Sequence, residues 1–250
     1  MPDLSFDNVD PTDAIDAIDT RTQNQQPQFS WLDAWQAEHS QMFTVAKSAG
    51  YDILGDMSGA LDDALKNGTT FEDFKKQIIP ILQQKGWWGQ GPAFDPLTGE
   101  TTIEQLGSLR RLKVIFDTNM RVSYAAGRWA SIQRNKVDRP YLCYLHTTSE
   151  HPRPEHLAWD GITLPVDDPF WDTHYPPNGW GCKCGVMTLS QRQYEQSLAE
   201  GSIITERPLQ TLIDFINGRT GETTTVPKGI DPGWGYNVGQ AFMDAIGITP

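Results

Sequence analysis

The fold of this chain is decided by residues 108–134, which read SLRRLKVIFDTNMRVSYAAGRWASIQR. Large apolar side chains recur there every three or four positions, which is the spacing of one face of an α-helix. We therefore predict one long amphipathic helix from Ser108 to about Arg134. The small residues at 125–127 would let another backbone approach the middle of this helix. Its expected apolar stripe is Leu109, Leu112, Phe116, Met120 and Tyr124.

The same helix is the basic part of an acidic chain. The 250 residues carry 32 Asp and Glu against 20 Lys and Arg, a net charge of -12, whereas residues 109–139 hold eight basic and two acidic residues. The total charge excludes a protein that coats nucleic acid over its whole surface, but it leaves a local patch open. That patch is either the solvated face of a surface helix or a contact with DNA or an acidic partner. Its cations are Arg110, Arg111, Lys113, Arg121, Arg128 and Arg134.

Residues 1–28 are predicted to be an acidic, disordered arm. Aspartates recur there every third residue, so on a helix they would wind around the surface instead of forming one face. Few apolar residues are available to offset the entropy lost on ordering. Two interpretations stay open, a solubilising tail and a docking arm that a partner orders. The aspartates of the repeat are Asp7, Asp10, Asp13, Asp16 and Asp19.

Residues 29–99 are predicted to form a helical module with a Gly/Pro connection. Ser30 and Asp33 have the spacing of a capping box at a helix start, and Pro80 is expected to kink or end the last helix. The segment at 86–99, GWWGQGPAFDPLTG, is dense in glycine and proline and is therefore expected to be irregular. The three helices are expected at about 30–50, 58–66 and 70–86.

Histidine and cysteine are concentrated in one region. All three cysteines and four of the five histidines lie between Cys143 and Cys184. Two thiolates and two imidazoles are the ligand set of a closed tetrahedral zinc site, although a Cys-x-Cys pair is tighter than the usual spacing. The sequence thus predicts a structural zinc site. Its expected ligands are His156, His174, Cys182 and Cys184.

Other interpretations of the same region stay open. Without a metal, its tryptophans and prolines would form a packed knot, because proline limits the entropy lost on ordering and aromatic rings bury large areas. A catalytic zinc would need a free coordination position and a general base, and a Cys/His/Asp triad is a further alternative. The rival ligands are Cys143, His146 and His151, and the possible bases are Glu150, Glu155 and Asp160.

Short strands are plausible at 164–166 and 185–189, so a two- or three-stranded sheet should pack on the long helix. The predicted fold class is α+β, mainly α. No apolar run approaches the ~18 residues that a membrane span needs, so we expect no membrane partner. Three cysteines cannot form the even-numbered framework of a small secreted domain, which favours a reducing compartment.

Five motifs in fixed order make residues 109–189 similar to a known family. They are RLKVIFDTNMRVSYAAGRW at 111–129, RPYLCYL at 139–145, RPEHLAWDG at 153–161, LPVDDPFW at 164–171 and PPNGWGCKC at 176–184. On these residues the chain resembles the Mu F-like minor head proteins of tailed phages, within the phage head-morphogenesis family. The similarity extends downstream through VPKGIDPGWGYNVG at 226–239. A Mu F-like domain at 100–190 and a C-terminal extension at 191–250 are therefore expected.

The resemblance implies a structural virion component, not an enzyme. It would join the head in the host cytoplasm and remain in the capsid interior near the portal, with a role in DNA packaging or ejection in some relatives. The implied partners are the portal protein, the major capsid protein and packaged double-stranded DNA. The family pattern places recurrent polar residues at His156, Asp160, Gly161, Cys182 and Cys184. The alternative function is a metal-dependent hydrolase or nuclease built on His156, Cys182 and Cys184.

Overall fold

The computed structural model describes residues 12–48, 50–146 and 151–247. These residues are mainly helical with three small antiparallel sheets, which confirms the predicted α+β, mainly α class. No helix among them is long and apolar enough to cross a membrane. The helices are α1 Thr12–Thr22, α2 Glu38–Gln41, α3 Tyr51–Asn67, α4 Phe71–Gln84, α5 Leu109–Asn135, α6 Pro154–Ala158, α7 Trp171–His174, α8 Gln191–Ala199 and α9 Val238–Ala245. The strands are β1 Gln90–Asp95, β2 Glu100–Gln105, β3 Tyr141–Leu145, β4 Thr163–Pro165, β5 Gly185–Leu189, β6 Leu212–Ile216 and β7 Thr223–Pro227.

Helix α5 is the predicted long helix. Ser108 caps it, since its side chain accepts a hydrogen bond from the Arg111 amide at 3.3 Å. The predicted apolar stripe is only partly buried, because Leu112 is fully covered while Leu109 and Tyr124 are 55% and 51% exposed. The buried face of the C-terminal half is instead Val122, Ser123, Ala126, Gly127, Trp129, Ala130 and Ile132.

The expectation of a disordered arm is wrong for residues 12–28, while residues 1–11 lie outside the described part. Helix α1 packs along α5 and buries Ala14 and Ile18, which lie between its aspartates at helical spacing. A Cβ at Gly127 would lie 2.7 Å from the Ala14 amide nitrogen. The close backbone approach predicted at 125–127 is therefore confirmed, and α1 is the element that makes it.

The long helix expected at 30–50 does not form. Ser30 and Asp33 do make the predicted capping box, but the helix it starts is a single 3-10 turn, Trp31–Asp33. Phe43 and Ala46 instead form isolated parallel bridges with residues 25 and 28. Pairing of this stretch with the chain that follows α1 thus replaces the helix.

Helices α3 and α4 match the other two predicted helices. Helix α3 begins seven residues before the expected Ser58, and it ends as predicted, with Gly68 in the left-handed conformation at φ 63°. Thr70 caps α4 by accepting a hydrogen bond from the Asp73 amide at 3.2 Å. Pro80 does not end α4, which continues to Gln84.

The segment expected to be an irregular connection forms the antiparallel hairpin β1–β2. Its Gly- and Pro-containing sequence makes the turn, where Gly99 donates its amide hydrogen to the Asp95 carbonyl at 2.8 Å with φ 73°. Arg219, between β6 and β7, holds the Asp95 carboxylate with two hydrogen bonds of 2.7 and 2.8 Å. The hairpin is thereby tied to the C-terminal part of the chain.

The predicted small sheet has three strands in the order β4-β3-β5. Both expected strands are present, and the central strand β3, which sequence reasoning missed, pairs antiparallel with each of them. Leu142 and Tyr144 of β3 share a buried cluster with Trp129 of α5, so the sheet packs on the long helix as predicted.

Two buried clusters meet along α5. The first joins α1, α3, α4 and the N-terminal half of α5, and the second joins the C-terminal half to the β3 sheet, α7 and α9. These clusters do not test the predicted domain boundaries after residues 28, 99 and 190, which stay predictions. Central members of the first cluster are Ile18, Leu54, Leu61, Phe74 and Leu112. Central members of the second are Trp129, Leu142, Trp171, Tyr175 and Phe242.

Candidate metal centre and basic helix

Three of the four predicted metal ligands converge on one point. The Nδ1 atom of His156 lies 3.4 Å from the Sγ atom of Cys184 and 3.8 Å from that of Cys182. All three ligand atoms lie within 4.8 Å of one another. His156 and Cys182 are buried, and Cys184 is partly exposed. An imidazole nitrogen and two thiols at such separations can close around one ion of zinc size.

Local structure explains how the sequence brings these groups together. His156 lies on the short helix α6, which Pro154 starts at its first turn. Both cysteines precede β5 and are separated by one residue. Alternate side chains of an extended chain lie on the same side, so the tight Cys-x-Cys spacing is compatible with two ligands to one ion.

A backbone carbonyl from the C-terminal part of the chain fixes the orientation of the His156 ring. Its Nε2 atom lies 2.8 Å from the Gly229 carbonyl oxygen. A carbonyl only accepts hydrogen bonds, so Nε2 carries the proton, and in the neutral ring the Nδ1 lone pair faces the two sulfurs. Gly229 has φ 94°, and a Cβ there would lie 2.5 Å from the Cβ of Glu155. Only glycine fits this position without strain. Its carbonyl accepts the hydrogen bond from the second ring nitrogen, as is typical for a histidine that binds a metal through the first.

The Cys182 thiol is poised to ionise. The hydrogen bond from Cys184 is the largest influence that lowers the pKa of Cys182, to about 4, against the opposing effect of burial. Burial, followed by the charge of the two thiols, raises the pKa of Tyr144 beside them. The Tyr144 hydroxyl donates to the buried Asn178 side chain at 2.9 Å. A thiolate is the form that binds metals, so the pocket favours the ligand state of Cys182.

His174 does not join the other three ligands. It is buried and stacks on Phe170 with ring centroids 4.2 Å apart, while its Nδ1 atom bonds the Thr173 hydroxyl at 2.8 Å. Burial lowers the pKa of His174 to about 4, so the ring is neutral. Trp159 contacts both His156 and His174 with centroids 4.9 and 4.8 Å away. The prediction of His174 as a ligand is thus corrected to a packing role within the aromatic knot.

The rival ligand set is not assembled among the described residues. Cys143 is buried in β3, and burial raises the pKa of its thiol. The backbone amide of His146 donates to Asp160 at 2.7 Å, so that carboxylate fixes the end of β3. Glu155 forms an ion pair with Lys228 at 3.2 Å. Two of the three proposed general bases therefore have structural partners, and the third, Glu150, lies outside the described residues.

The six cations of α5 do not form one free face. Four of them bond within the chain, and Arg110 and Arg121 have no hydrogen bond or ion pair among the residues described. Arg128 donates to the Val186 carbonyl at 2.9 Å, which ties α5 to β5. Arg134 donates to Asp13 of α1 at 3.1 Å, and Lys113 pairs with Asp117 at 2.7 Å. Most of the positive charge of the helix thus serves internal contacts.

Sequence reasoning missed the groups that support the site. Tyr144 lies on β3, Asn178 in the loop before the cysteines, and Gly229 in the C-terminal part of the chain. All three lie in the motifs RPYLCYL, PPNGWGCKC and VPKGIDPGWGYNVG, but nothing in those motifs indicates that these residues support the ligands. The arrangement they complete can hold a metal through three protein ligands and leaves one coordination position to a further ligand.

Comparisons with known proteins agree on one group. A family model described as Phage Mu protein F like protein matches residues 56–187. The Mu-like prophage FluMu F protein of Haemophilus influenzae is 36% identical over 224 residues, which cover 85% of this chain and 53% of that protein. The "Putative capsid assembly protein F" of Escherichia phage Mu is 35% identical over 224 residues, with 85% and 51% covered. The chain thus spans about half the length of both relatives. No solved structure matches it significantly.

Proposed function

Because the chain belongs to the Phage Mu protein F like family, we propose that it is a head protein of a tailed phage that acts in capsid assembly. The observation that carries this proposal is the similarity over 85% of the chain to a relative named as a capsid assembly protein.

The experiment is complementation of a phage that lacks this gene product. Heads formed with and without the full chain would be compared by electron microscopy and DNA content. We expect heads without it to be aberrant or empty, and we expect the wild-type chain to restore filled heads. Normal, infectious particles formed without the chain would overturn the proposal.

The finer proposal places the protein in the capsid interior at the portal vertex, with the portal protein and the major capsid protein as partners and a role in DNA packaging or ejection. A density map of the assembled head around that vertex tests this placement. Density for α5 and its two buried clusters against the portal is expected. The same density found only on the outer capsid surface would exclude it.

Packaged DNA is the weaker part of the partner proposal. Each phosphate contact contributes about −0.9 to the slope of log affinity against log salt concentration. Of the six α5 cations, only Arg110 and Arg121 lack a bond among the described residues, so we expect this helix to give a slope no steeper than about −2 for a duplex oligonucleotide. A slope near −5 would instead show that the cations of α5 leave their internal partners to bind DNA.

The metal centre is proposed to hold a structural zinc ion through His156, Cys182 and Cys184. The support is the convergence of three ligand atoms within 4.8 Å and the outer hydrogen bond to Gly229. Elemental analysis of the full chain purified without chelator should give one zinc per molecule, and the C182S/C184S variant should give none. The matched control is C143S, which removes the third cysteine, outside the site. A wild-type chain that neither retains nor takes up zinc would refute the site.

No catalytic role is proposed for this centre. A hydrolase or nuclease would need a base beside the open coordination position, and Glu155 and Asp160 are already bonded elsewhere. If zinc-dependent cleavage of DNA by the purified chain were found and were lost in H156A, the alternative function would replace the structural one.

A further inference from the structure

A cavity of about 520 Å³ lies between α5 and the chain that surrounds its N-terminal half. Arg21 of α1 lines it together with part of α5, and Trp180 is a further lining residue. Other lining residues lie at 31, 39, 42 and 44–46 and at 232–234 and 236. This volume is in the range of sites that bind small ligands or side chains of a partner. The cavity is separate from the metal centre, because none of the three ligands lines it.

The charge of this cavity is opposite to that of the protein. Arg21, Arg110 and Arg111 all line it, and none of the described residues that line it is Asp or Glu. The whole chain has a net charge of -12. Three arginines that line one cavity of so acidic a chain favour an anion there.

Arg21 is the most informative member of this cluster. It is only 6% exposed, and its guanidinium donates to the Asn119 side chain at 2.9 Å and to the Ser123 hydroxyl at 2.8 Å. Both acceptors are neutral. Burial lowers the pKa of Arg21 to about 10, which reflects the cost of holding a cation there without a counter-ion. A buried charge of this kind is ordinarily paired, and no carboxylate of the described residues bonds to Arg21.

The other two arginines also form no hydrogen bond or ion pair with a carboxylate among the described residues, although the charge of Glu104 acts on Arg111. Arg111 donates to the carbonyl oxygens of Gln105 and Ala46, each at 2.6 Å. Arg110 is exposed at the mouth of the cavity. Within the described part of the chain, none of the three arginines forms an ion pair, although most lysines there do.

The opposite wall of the cavity is aromatic. Trp180 meets Trp31 edge to face with centroids 6.0 Å apart and meets Trp234 in the same way at 5.2 Å. Trp180 is 38% exposed, which leaves an apolar surface open beside the cations. Tryptophan and arginine side by side are the residues that most often dominate binding to a partner protein.

We propose that this arginine–tryptophan cavity binds an acidic peptide segment of a partner protein. Its carboxylates would pair with Arg21 and Arg110, and an aromatic or aliphatic side chain would lie against the tryptophans. Duplex DNA does not fit these observations, because a phosphate on a rigid duplex cannot reach a guanidinium that is 6% exposed. The inference does not depend on the role in capsid assembly, since it concerns the chain alone.

The test is selection of binding peptides from a random displayed library against the purified full chain. The R110E variant serves for subtraction, because Arg110 is exposed and has no described structural partner. The matched control is R121E, which makes the same charge change on the same helix outside the cavity. Affinities of the selected peptides are then measured by fluorescence anisotropy at physiological salt.

We expect the selected peptides to be rich in Asp and Glu next to aromatic or aliphatic residues. Their affinity should fall at least about tenfold in R110E and stay near the wild-type value in R121E. R21Q should weaken binding of the peptides further, provided that thermal melting shows this variant to be folded. If R21Q does not fold, the comparison of R110E with R121E alone tests the proposal. Peptides without acidic residues or equal loss in R121E would each overturn the proposal. Concentration-dependent self-association that R110E abolishes would assign the cavity to a second copy of the chain and would overturn it too.

Discussion

Substitution of Gly127 by alanine tests the contact between α1 and α5. In an ordinary helix interior this change stabilises a protein by about 0.5–1 kcal/mol, because alanine is the better helix former. At Gly127 the added Cβ would lie 2.7 Å from the Ala14 nitrogen and 3.0 Å from the Asp13 carbonyl carbon. These neighbours are backbone atoms, so no rotation of a side chain can relieve the contact. We therefore expect the sign of the effect to be reversed.

The size of the effect follows from two opposing terms. Overpacking of a tight contact costs about 1–3 kcal/mol, and a backbone neighbour places this site at the upper end. After subtraction of the gain in helix propensity, G127A should lower the free energy of unfolding by about 1–2 kcal/mol. Relief by movement of α1 would expose Ile18, which is fully buried, so that route offers no cheaper alternative.

Urea denaturation followed by circular dichroism measures this difference. The matched control is G59A on α3, where a Cβ would meet nothing within 4 Å, and there the ordinary stabilisation of about 0.5–1 kcal/mol is expected. Limited proteolysis after α1 should also become faster in G127A alone. If G127A proved as stable as G59A, the close packing of α1 on α5 would be refuted.

Three further predictions concern the metal centre and one ion pair. G229A should weaken zinc binding about 10- to 100-fold in chelator competition, because the added Cβ would meet Glu155 and displace the carbonyl that orients the His156 ring. An unchanged affinity would contradict that role. H174F should retain the zinc content of the wild type, and loss of zinc would restore His174 to the ligand set. Arg219 holds the pKa of Asp95 at about 2, below its ordinary 3.8, so this carboxylate stabilises the fold above about pH 4 and stops doing so as the pH falls toward 2. Stability measured by urea unfolding should therefore decline over that window in the wild type and less so in R219Q, and parallel curves would argue against this linkage.

Local signals in the sequence predicted the parts of the fold that local chemistry determines. Ser108 and Thr70 cap the helices they precede, and Gly68 ends α3, because side-chain caps and left-handed glycine act within one turn of the chain. The sequence also identified His156 and the Cys-x-Cys pair, since ligand chemistry is visible in residue type.

Features that depend on distant partners could not be predicted in the same way. The sequence of α1 did not predict a packed helix, because aspartates dominate its composition. The surface that buries Ile18 is supplied by α5 and α3, which are distant in the sequence. His174 has the same chemistry as His156 but is enclosed by Phe170 and Trp159, which only the fold reveals. Glycine and proline are typical both of a tight turn and of an irregular segment, so the sequence at 86–99 does not distinguish the hairpin β1–β2 from an irregular connection.

The hydrogen bond between His156 and Gly229 sets an order for the biosynthesis of the site. During translation all three ligands leave the ribosome well before Gly229 does, so they are available to a metal while the ring of His156 is still free to rotate. Only when the C-terminal part folds back does the carbonyl fix the proton on Nε2 and turn Nδ1 toward the sulfurs. A chain interrupted before that residue would thus carry every ligand and still lack an oriented site, so firm metal retention would report that synthesis had passed Gly229.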